Sequence, residues 1–204
     1  MRIPQTTRGG VRWPRQTVGD FPGLNAQHIA LTIDDGPTQH TEEILAALDS
    51  AGVPATFFVI GKLVLARADL ITKILERGHS VGIHGWTHTH FSRLTAPELR
   101  LELTRTLRTL PSPPTIVRPP YGDLDAPSLD LLHDLGLEAV GWSVHCEDWV
   151  QDRTRTEMAT EMIRDTTPGD ILLLHDREHA GQLIQSVVAG LAARGLTWTA
   201  LPWQ

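Results

Sequence analysis

The stretch His28-Ile29-Ala30-Leu31-Thr32-Ile33-Asp34-Asp35-Gly36-Pro37 joins an apolar, β-branched run to two adjacent acids and a Gly-Pro pair. The run is typical of a strand, and the Gly-Pro pair is typical of the turn that ends it. Adjacent carboxylates repel each other and are costly to remove from water, so they seldom end a hydrophobic strand without a purpose. Asp34 and Asp35 are therefore candidate site residues, and two solvated turn acids are the alternative interpretation.

Two histidines, His84 and His88, follow about fifty residues later. Their i, i+4 spacing lets both imidazoles meet one metal ion, and one Asp completes a set of two histidines and a carboxylate. Such a set leaves coordination positions open for water and substrate, and the second Asp is then free to act as a base on that water. The pattern predicts a metal site, and two scattered histidines are the alternative.

Strand-like and helix-like patterns alternate along the rest of the chain. Apolar, β-branched runs predict strands at residues 28–33, 55–60, 80–83, 115–117, 139–144, 170–174 and 196–201. Helical patterns lie between them at residues 41–51, 67–77, 96–110, 127–135, 156–165 and 182–194, and several end at a glycine, as helix C-caps do. The alternation predicts parallel strands covered by helices, with the site at the carboxyl ends of the strands.

Length and composition limit the class of protein. A chain of 204 residues is long enough for one sizeable core and short for two. The net charge of −6 argues against nucleic acid as a main partner, because phosphate binding needs clustered Lys and Arg. Cys146 is the only cysteine, which excludes an intramolecular disulfide. No apolar run suits a membrane span or a signal peptide, so we expect a soluble, unexported monomer, or a secreted one if a leader was removed.

Five motifs follow one another along the chain. They read Thr32-Ile33-Asp34-Asp35-Gly36-Pro37, His84-Gly85-Trp86-Thr87-His88, Arg118-Pro119-Pro120-Tyr121-Gly122, Glu147-Asp148-Trp149 and Leu172-Leu173-Leu174-His175-Asp176. In this order and at this spacing they resemble the polysaccharide deacetylases, the NodB-homology domain of the family-four carbohydrate esterases. The resemblance implies an α/β fold, a distorted, incomplete (β/α) barrel with about seven parallel strands. It also implies a catalytic domain over residues 28–204, with residues 1–27 as an N-terminal extension packed on the barrel.

The resemblance further implies a role for the acids and histidines of these motifs. Asp35, His84 and His88 would hold one divalent ion, with Zn²⁺ the expected metal and Co²⁺ or Ni²⁺ able to substitute. Asp34 would be the general base, and His175 would be the general acid that protonates the departing amine.

Five more motif residues would support this chemistry. The backbone N–H of Tyr121 would stabilise the tetrahedral oxyanion together with the metal. Arg118 would orient and charge-balance the base, and Asp148 would hold and tune the acid. Trp149 and Leu173 would shape the apolar pocket for the acetyl methyl group.

The implied substrate is an acetylated carbohydrate, and the favoured reaction removes acetyl from N-acetylglucosamine in chitin-like or peptidoglycan-like glycans. Two alternatives remain open: hydrolysis of O-acetyl esters, as on acetylated xylan, and a catalytically silent carbohydrate-binding module on the same fold. One position departs from the family pattern, because His145 stands three residues before Asp148, where the family commonly has an acid. This departure bears on the polarity of the groove, and it makes His145 a further candidate metal ligand.

Overall fold

The apolar run of residues 29–33 lies in strand β1, Ile29–Gly36, which is almost entirely buried in the computed structural model. The structure describes residues 18–21 and 24–203. Within these residues seven further strands follow: β2 Ala55–Val59, β3 Ser80–Ile83, β4 Ile116–Val117, β5 Glu138–Ala139, β6 Val144–His145, β7 Ile171–His175 and β8 Trp198–Thr199.

The strands form one curled sheet with β1 near its centre. Seven of them lie in the order β5-β4-β3-β2-β1-β7-β6, and β8 pairs with the beginning of β1. Every pairing is parallel, and the curl gives a distorted half-barrel. The structure thus confirms the predicted α/β fold, an incomplete barrel of about seven parallel strands.

The predicted strand at residues 139–144 is wrong as a single element. The structure divides it into β5 and β6, which lie at opposite ends of the strand order. Between them the carbonyl groups of Val140 and Gly141 accept hydrogen bonds from the guanidinium of Arg118, at 3.2 and 2.6 Å. A side chain from a distant part of the sequence therefore takes two acceptors that a continuous strand would offer to a neighbouring strand.

Seven α-helices lie in the described part of the chain. They are α1 Thr41–Ala51, α2 Gly61–Ala66, α3 Ala68–Glu76, α4 Ala96–Leu107, α5 Ala126–Asp134, α6 Arg155–Asp165 and α7 Ala180–Ala192. Six match predicted helices, with ends that differ by up to three residues, whereas α2 has only six residues and too few turns to show a period. None of these helices is long and apolar enough to cross a membrane.

The described residues form two apolar clusters on the two faces of the sheet. The larger cluster joins the outer face to the helices, and it includes Ile33 of β1 with Ile44 and Leu48 of α1. The smaller cluster fills the inside of the barrel, where Ala30 and Phe58 are buried. Since side chains alternate between the faces of a strand, Ala30, Thr32 and Asp34 share the inner face.

The N-terminal region is described only in part. Val18 and Phe21 are buried in the inner cluster, and the N–H of Val18 donates to the carbonyl of Gly169. Residues 1–17 of the predicted extension lie outside the described residues. The division of the chain at residues 1–27 and 28–204 stays a prediction.

Candidate active site

The five motifs converge at the carboxyl ends of the strands. Asp34 and His175 are register partners at the ends of β1 and β7. His84 directly follows β3, and Arg118 directly follows β4. Parallel strands end at one edge of the sheet, so this topology brings together residues from distant parts of the sequence.

Asp35, His84 and His88 form a cluster of potential metal-ligand atoms. Oδ1 of Asp35 lies 3.5 Å from Nε2 of His84 and 3.1 Å from Nε2 of His88, and one ligand atom from each residue falls within 4.8 Å of the others. Oδ1 is buried and has no hydrogen-bond partner. Burial alone would raise the pKa of Asp35, but the neighbouring imidazoles of His88 and His84 outweigh burial and lower that pKa.

The Nδ1 atoms of both histidines contact groups outside this cluster, so the Nε2 atoms face it. Nδ1–H of buried His84 donates to the carbonyl of Arg118 at 2.6 Å, which leaves the lone pair on Nε2. Burial lowers the pKa of His84, which favours the neutral, metal-binding form. Nδ1 of His88 contacts the phenol oxygen of Tyr121 at 3.1 Å. Two imidazole nitrogens and one buried carboxylate oxygen suit a divalent cation such as Zn²⁺.

Arg118 holds Asp34 from inside the barrel. The arginine side chain is fully buried, and its Nη1 donates to Oδ1 of Asp34 and to Oγ1 of Thr32, both at 2.7 Å. Its guanidinium also lies over the ring of Phe58, 4.2 Å from the centroid. The second carboxylate oxygen of Asp34 lies 3.7 Å from Nε2 of His84. One oxygen of Asp34 is thus occupied, while the other faces the cluster.

His175 and Asp148 form a second, closely coupled pair. The carboxylate of Asp148 accepts from the backbone N–H of His175 at 2.8 Å and from its Nδ1–H at 2.7 Å. Burial by itself lowers the pKa of His175, but the hydrogen bond to Asp148 and the charge of that carboxylate outweigh burial and raise the pKa. Nε2 of His175 remains available for proton transfer.

The three other predicted residues border the same region. Tyr121 adopts a left-handed backbone conformation, φ 62°, in a short 3₁₀ turn whose own hydrogen bonds come from the N–H groups of Gly122 and Asp123. The indole of Trp149 stands edge-on to His175, with ring centroids 5.2 Å apart. Leu173 is buried two residues before His175, on the same face of β7.

Two acids to which the sequence motifs assigned no role also fix the geometry. Asp176 is buried and accepts from the hydroxyl groups of Thr38 and Thr41, at 2.7 and 2.5 Å, which fastens the turn after β1 to the end of β7. Glu102 of α4 accepts from the backbone N–H groups of Trp86 and Thr87, at 2.8 and 2.9 Å, and so holds the loop between the two histidines. Asp176 follows His175 in the fifth motif, which was the only sequence signal for either acid.

His145 lies outside the ligand cluster. Among the described residues the group that could hold a metal consists of Asp35, His84 and His88. The imidazole of His145 instead lies beside Trp149, with ring centroids 5.3 Å apart. His145 is exposed, so its ring is accessible at the edge of the groove.

Comparisons with known proteins agree with this architecture. The family model described as polysaccharide deacetylase matches residues 23–140. The chain is 34% identical to a chitooligosaccharide deacetylase of Bradyrhizobium sp. over 174 residues, which covers 82% of this chain and 78% of the relative. It is 35% identical to the peptidoglycan-N-acetylglucosamine deacetylase PgdA of Listeria monocytogenes over 155 residues, 74% of this chain but only 32% of the relative.

The fold is also similar to that of solved structures. A family 4 carbohydrate esterase from Streptomyces lividans, in complex with acetate, superposes with a TM-score of 0.79 at 29% identity, over 84% of this chain and 91% of that one. The chain spans about one third of the length of the Listeria relative. From the family match and these similarities, the chain belongs to the polysaccharide deacetylases, the hydrolases of carbohydrate esterase family 4.

Proposed function

We propose that this domain is a metal-dependent deacetylase that removes acetyl groups from N-acetylglucosamine residues of chitooligosaccharide or peptidoglycan type. The observation that carries the proposal is the ligand cluster of Asp35, His84 and His88. Two further groups are held near it: Asp34 by Arg118, and His175 by Asp148. The substrate class is supported by the named activities of the Bradyrhizobium and Listeria relatives.

The ligand cluster would hold the metal ion through one carboxylate oxygen and two imidazole Nε2 atoms. A bound divalent ion acidifies water and polarises the acetyl carbonyl. Zn²⁺ is the expected ion, because this donor set matches its preference for nitrogen and oxygen ligands with an open position. The unsatisfied Oδ1 of Asp35 supports this assignment, since a buried anionic oxygen without a donor is costly unless a cation meets it.

Asp34 is proposed as the general base. Its Oδ1 accepts from Arg118, so the carboxylate cannot rotate freely, and its Oδ2 faces the ligand cluster from 3.7 Å. In this proposal Oδ2 would accept a proton from a water held at the cluster. The fixed orientation lowers the entropy cost of reaching the reactive geometry.

His175 is proposed as the general acid and Tyr121 as the oxyanion donor. Asp148 holds the His175 ring through Nδ1, so Nε2 can deliver its proton to the amine nitrogen as the carbon–nitrogen bond breaks. The backbone N–H of Tyr121 would donate to the oxyanion of the tetrahedral intermediate. Trp149 and Leu173 would border the acetyl methyl group.

The direct test is acetate release from a panel of glycans by protein that has been stripped of metal and reloaded with Zn²⁺. We expect release from N-acetylated chitooligosaccharides or peptidoglycan fragments, loss of release with a strong chelator, and recovery when Zn²⁺ or Co²⁺ is returned. Release from acetylated xylan alone would make the domain an O-acetyl esterase. Absence of release from every substrate by the metal-loaded protein would favour a silent carbohydrate-binding module.

A further inference from the structure

Tyr121 contacts the ligand cluster through its side chain, in addition to the role proposed for its backbone. Its phenol oxygen lies 3.1 Å from Nδ1 of His88, and the two ring centroids are 4.5 Å apart. A neutral imidazole carries its proton on one nitrogen only. When Nδ1–H of His88 donates to the phenol oxygen, the lone pair stays on Nε2, the atom that faces Asp35 at 3.1 Å.

The ring of Tyr121 is in turn held by His90. The two rings stack with centroids 4.0 Å apart and planes inclined by 17°. Nδ1 of His90 lies 3.3 Å from Oδ2 of Asp123, and the same oxygen accepts from the hydroxyl of Ser92 at 2.5 Å. Asp123 therefore holds the imidazole of His90 through Nδ1, and one face of the imidazole packs on the phenol ring.

Tyr121 is largely exposed, so contacts with neighbouring rings decide where its side chain lies. Its side chain is 56% exposed, and its backbone is in the left-handed region, with φ 62°. A side chain in this position can turn toward solvent unless neighbouring groups hold it, and a bulky residue with positive φ depends on its surroundings to stay there. The stack on His90 covers one face of this ring.

We propose that His90, anchored by Asp123, clamps the ring of Tyr121, and that the phenol thereby fixes the orientation of the His88 ring for metal binding. Tyr121 through its side chain, and His90 through Tyr121, are positioning residues. The inference rests on the proposed function only in taking His88 as a metal ligand. It assigns work to His90 and Asp123, which lie outside the five motifs.

The test is the affinity of the purified protein for Zn²⁺, measured in competition with a chromophoric chelator. Tyr121→Phe keeps the ring and removes the phenol oxygen, and it should weaken Zn²⁺ binding by about 10–100-fold, the usual effect of losing a group that orients a metal ligand. The same variant loaded with Co²⁺ should show an altered visible absorption spectrum. His90→Ala should also weaken Zn²⁺ binding, and His90→Phe, which restores a flat ring without the bond to Asp123, should recover part of the lost affinity.

His133→Ala is the matched control, because His133 is an exposed histidine on α5 outside the site. The Zn²⁺ affinity of this variant should equal that of the parent protein. Parent-like Zn²⁺ affinity and Co²⁺ spectrum in Tyr121→Phe would overturn the clamp while leaving the proposed function intact. His90→Phe that binds as weakly as His90→Ala would also overturn it, because stacking could not be the cause. A parent protein that binds no Zn²⁺ would overturn both proposals.

Discussion

Asp34 and Asp35 are adjacent in the sequence, yet Asp35 belongs to the ligand cluster and Asp34 lies beside it. In a regular strand successive side chains point to opposite faces, so two neighbours could not share one site. The pairing of β1 with β2 shifts register between Asp34 and Gly36, and Asp35 takes a left-handed conformation, φ 70°. This irregularity turns Asp35 toward His84 and His88, whereas Asp34 remains on the inner face beside Arg118.

The two acids should therefore respond differently to the same substitution. Asp35→Asn removes the anionic ligand and should weaken Zn²⁺ binding. Asp34→Asn should retain Zn²⁺ but lose about 10²–10⁴-fold in turnover, because an amide cannot accept the proton of water. Metal content after dialysis, together with acetate release, checks both statements, and equal metal loss in the two variants would contradict the division of roles.

The hydrogen bond between Asp148 and His175 sets a limit on the pH range of activity. Burial lowers the pKa of His175, but Asp148 outweighs burial and raises it. Because a general acid must be protonated to act, the rate should fall as the pH rises through this pKa. Asp148→Asn removes the negative charge, and the alkaline limb of the pH–rate profile should move to lower pH. Glu147→Gln is the control, since this exposed acid pairs with Arg153, and its profile should match the parent profile.

Removal of His175 should separate amide from activated ester substrates. An amine is a poor leaving group unless it is protonated, whereas an aryl alkoxide departs without such help. His175→Ala should slow cleavage of an N-acetyl group by about 10²–10⁴-fold and slow hydrolysis of an aryl acetate much less. Rates on both substrates, measured at equal Zn²⁺ content, test this expectation. Equal losses on the two substrates would assign His175 a structural role.

At the scale of elements, the turn that follows β1 is packed against the end of β7. The carboxylate of Asp176 accepts from the backbone N–H and the hydroxyl of Thr38 and from the hydroxyl of Thr41 at the start of α1. Gly36 lies directly beneath this carboxylate. A β-carbon added at Gly36 would lie 2.6 Å from Oδ2 of Asp176, closer than such atoms approach in real structures.

Gly36→Ala should therefore push two elements apart at the site. Several hydrogen bonds hold the carboxylate of Asp176, so moving it away from the added β-carbon would break them. The free energy of unfolding should therefore fall by about 1–3 kcal/mol. Turnover should fall as well, since Asp34 and Asp35 belong to the same turn. Gly52→Ala is the control: its positive φ of 64° strains an alanine at the end of α1, but no atom lies within 4 Å. Urea denaturation and acetate release should show a stability loss in both variants and a turnover loss only in Gly36→Ala.

At the scale of the whole molecule, Arg118 connects the central strand β1 to the chain segment between the two edge strands. Its guanidinium bonds to Asp34 on one side and to the carbonyl groups of Val140 and Gly141 on the other. These two residues belong to the segment between β5 and β6, the strands at the two ends of the sheet order. One buried cation thus joins the centre of the sheet to the connection between its edges.

Arg118→Ala should destabilise the fold as well as the site. Removing one partner of a buried ion pair leaves the other uncompensated, and the free energy of unfolding should fall by about 3–5 kcal/mol. Arg164→Ala is the control, because Arg164 pairs with Asp165 at the surface and should change stability by about 0.5 kcal/mol or less. Urea denaturation of the two variants measures the contrast, and equal midpoints would contradict this account of Arg118.

The sequence predicted those parts of the molecule that depend on local pattern. Strand β3 and helix α1 have the predicted bounds, because their apolar periods and end signals lie within the elements themselves. The break between β5 and β6 could not be predicted, since the side chain that bonds to its carbonyl groups, Arg118, lies about twenty residues earlier. The contacts of Glu102 and His90 are likewise long-range and leave no period in the sequence. The motif residues lie together as expected, and their individual roles stay predictions.

The double attachment of Arg118 has an evolutionary consequence. Selection for folding and selection for turnover should both act on this one side chain, whereas Asp35 and His88 are partly exposed and contribute less to the fold. A descendant that gave up catalysis could exchange Asp35 or His88 with little harm to its architecture. Such a descendant would have to retain the arginine or replace its bonds between Asp34 and the segment that joins β5 to β6. Inactive descendants of this domain should therefore be marked by missing ligand donors beside an arginine that persists.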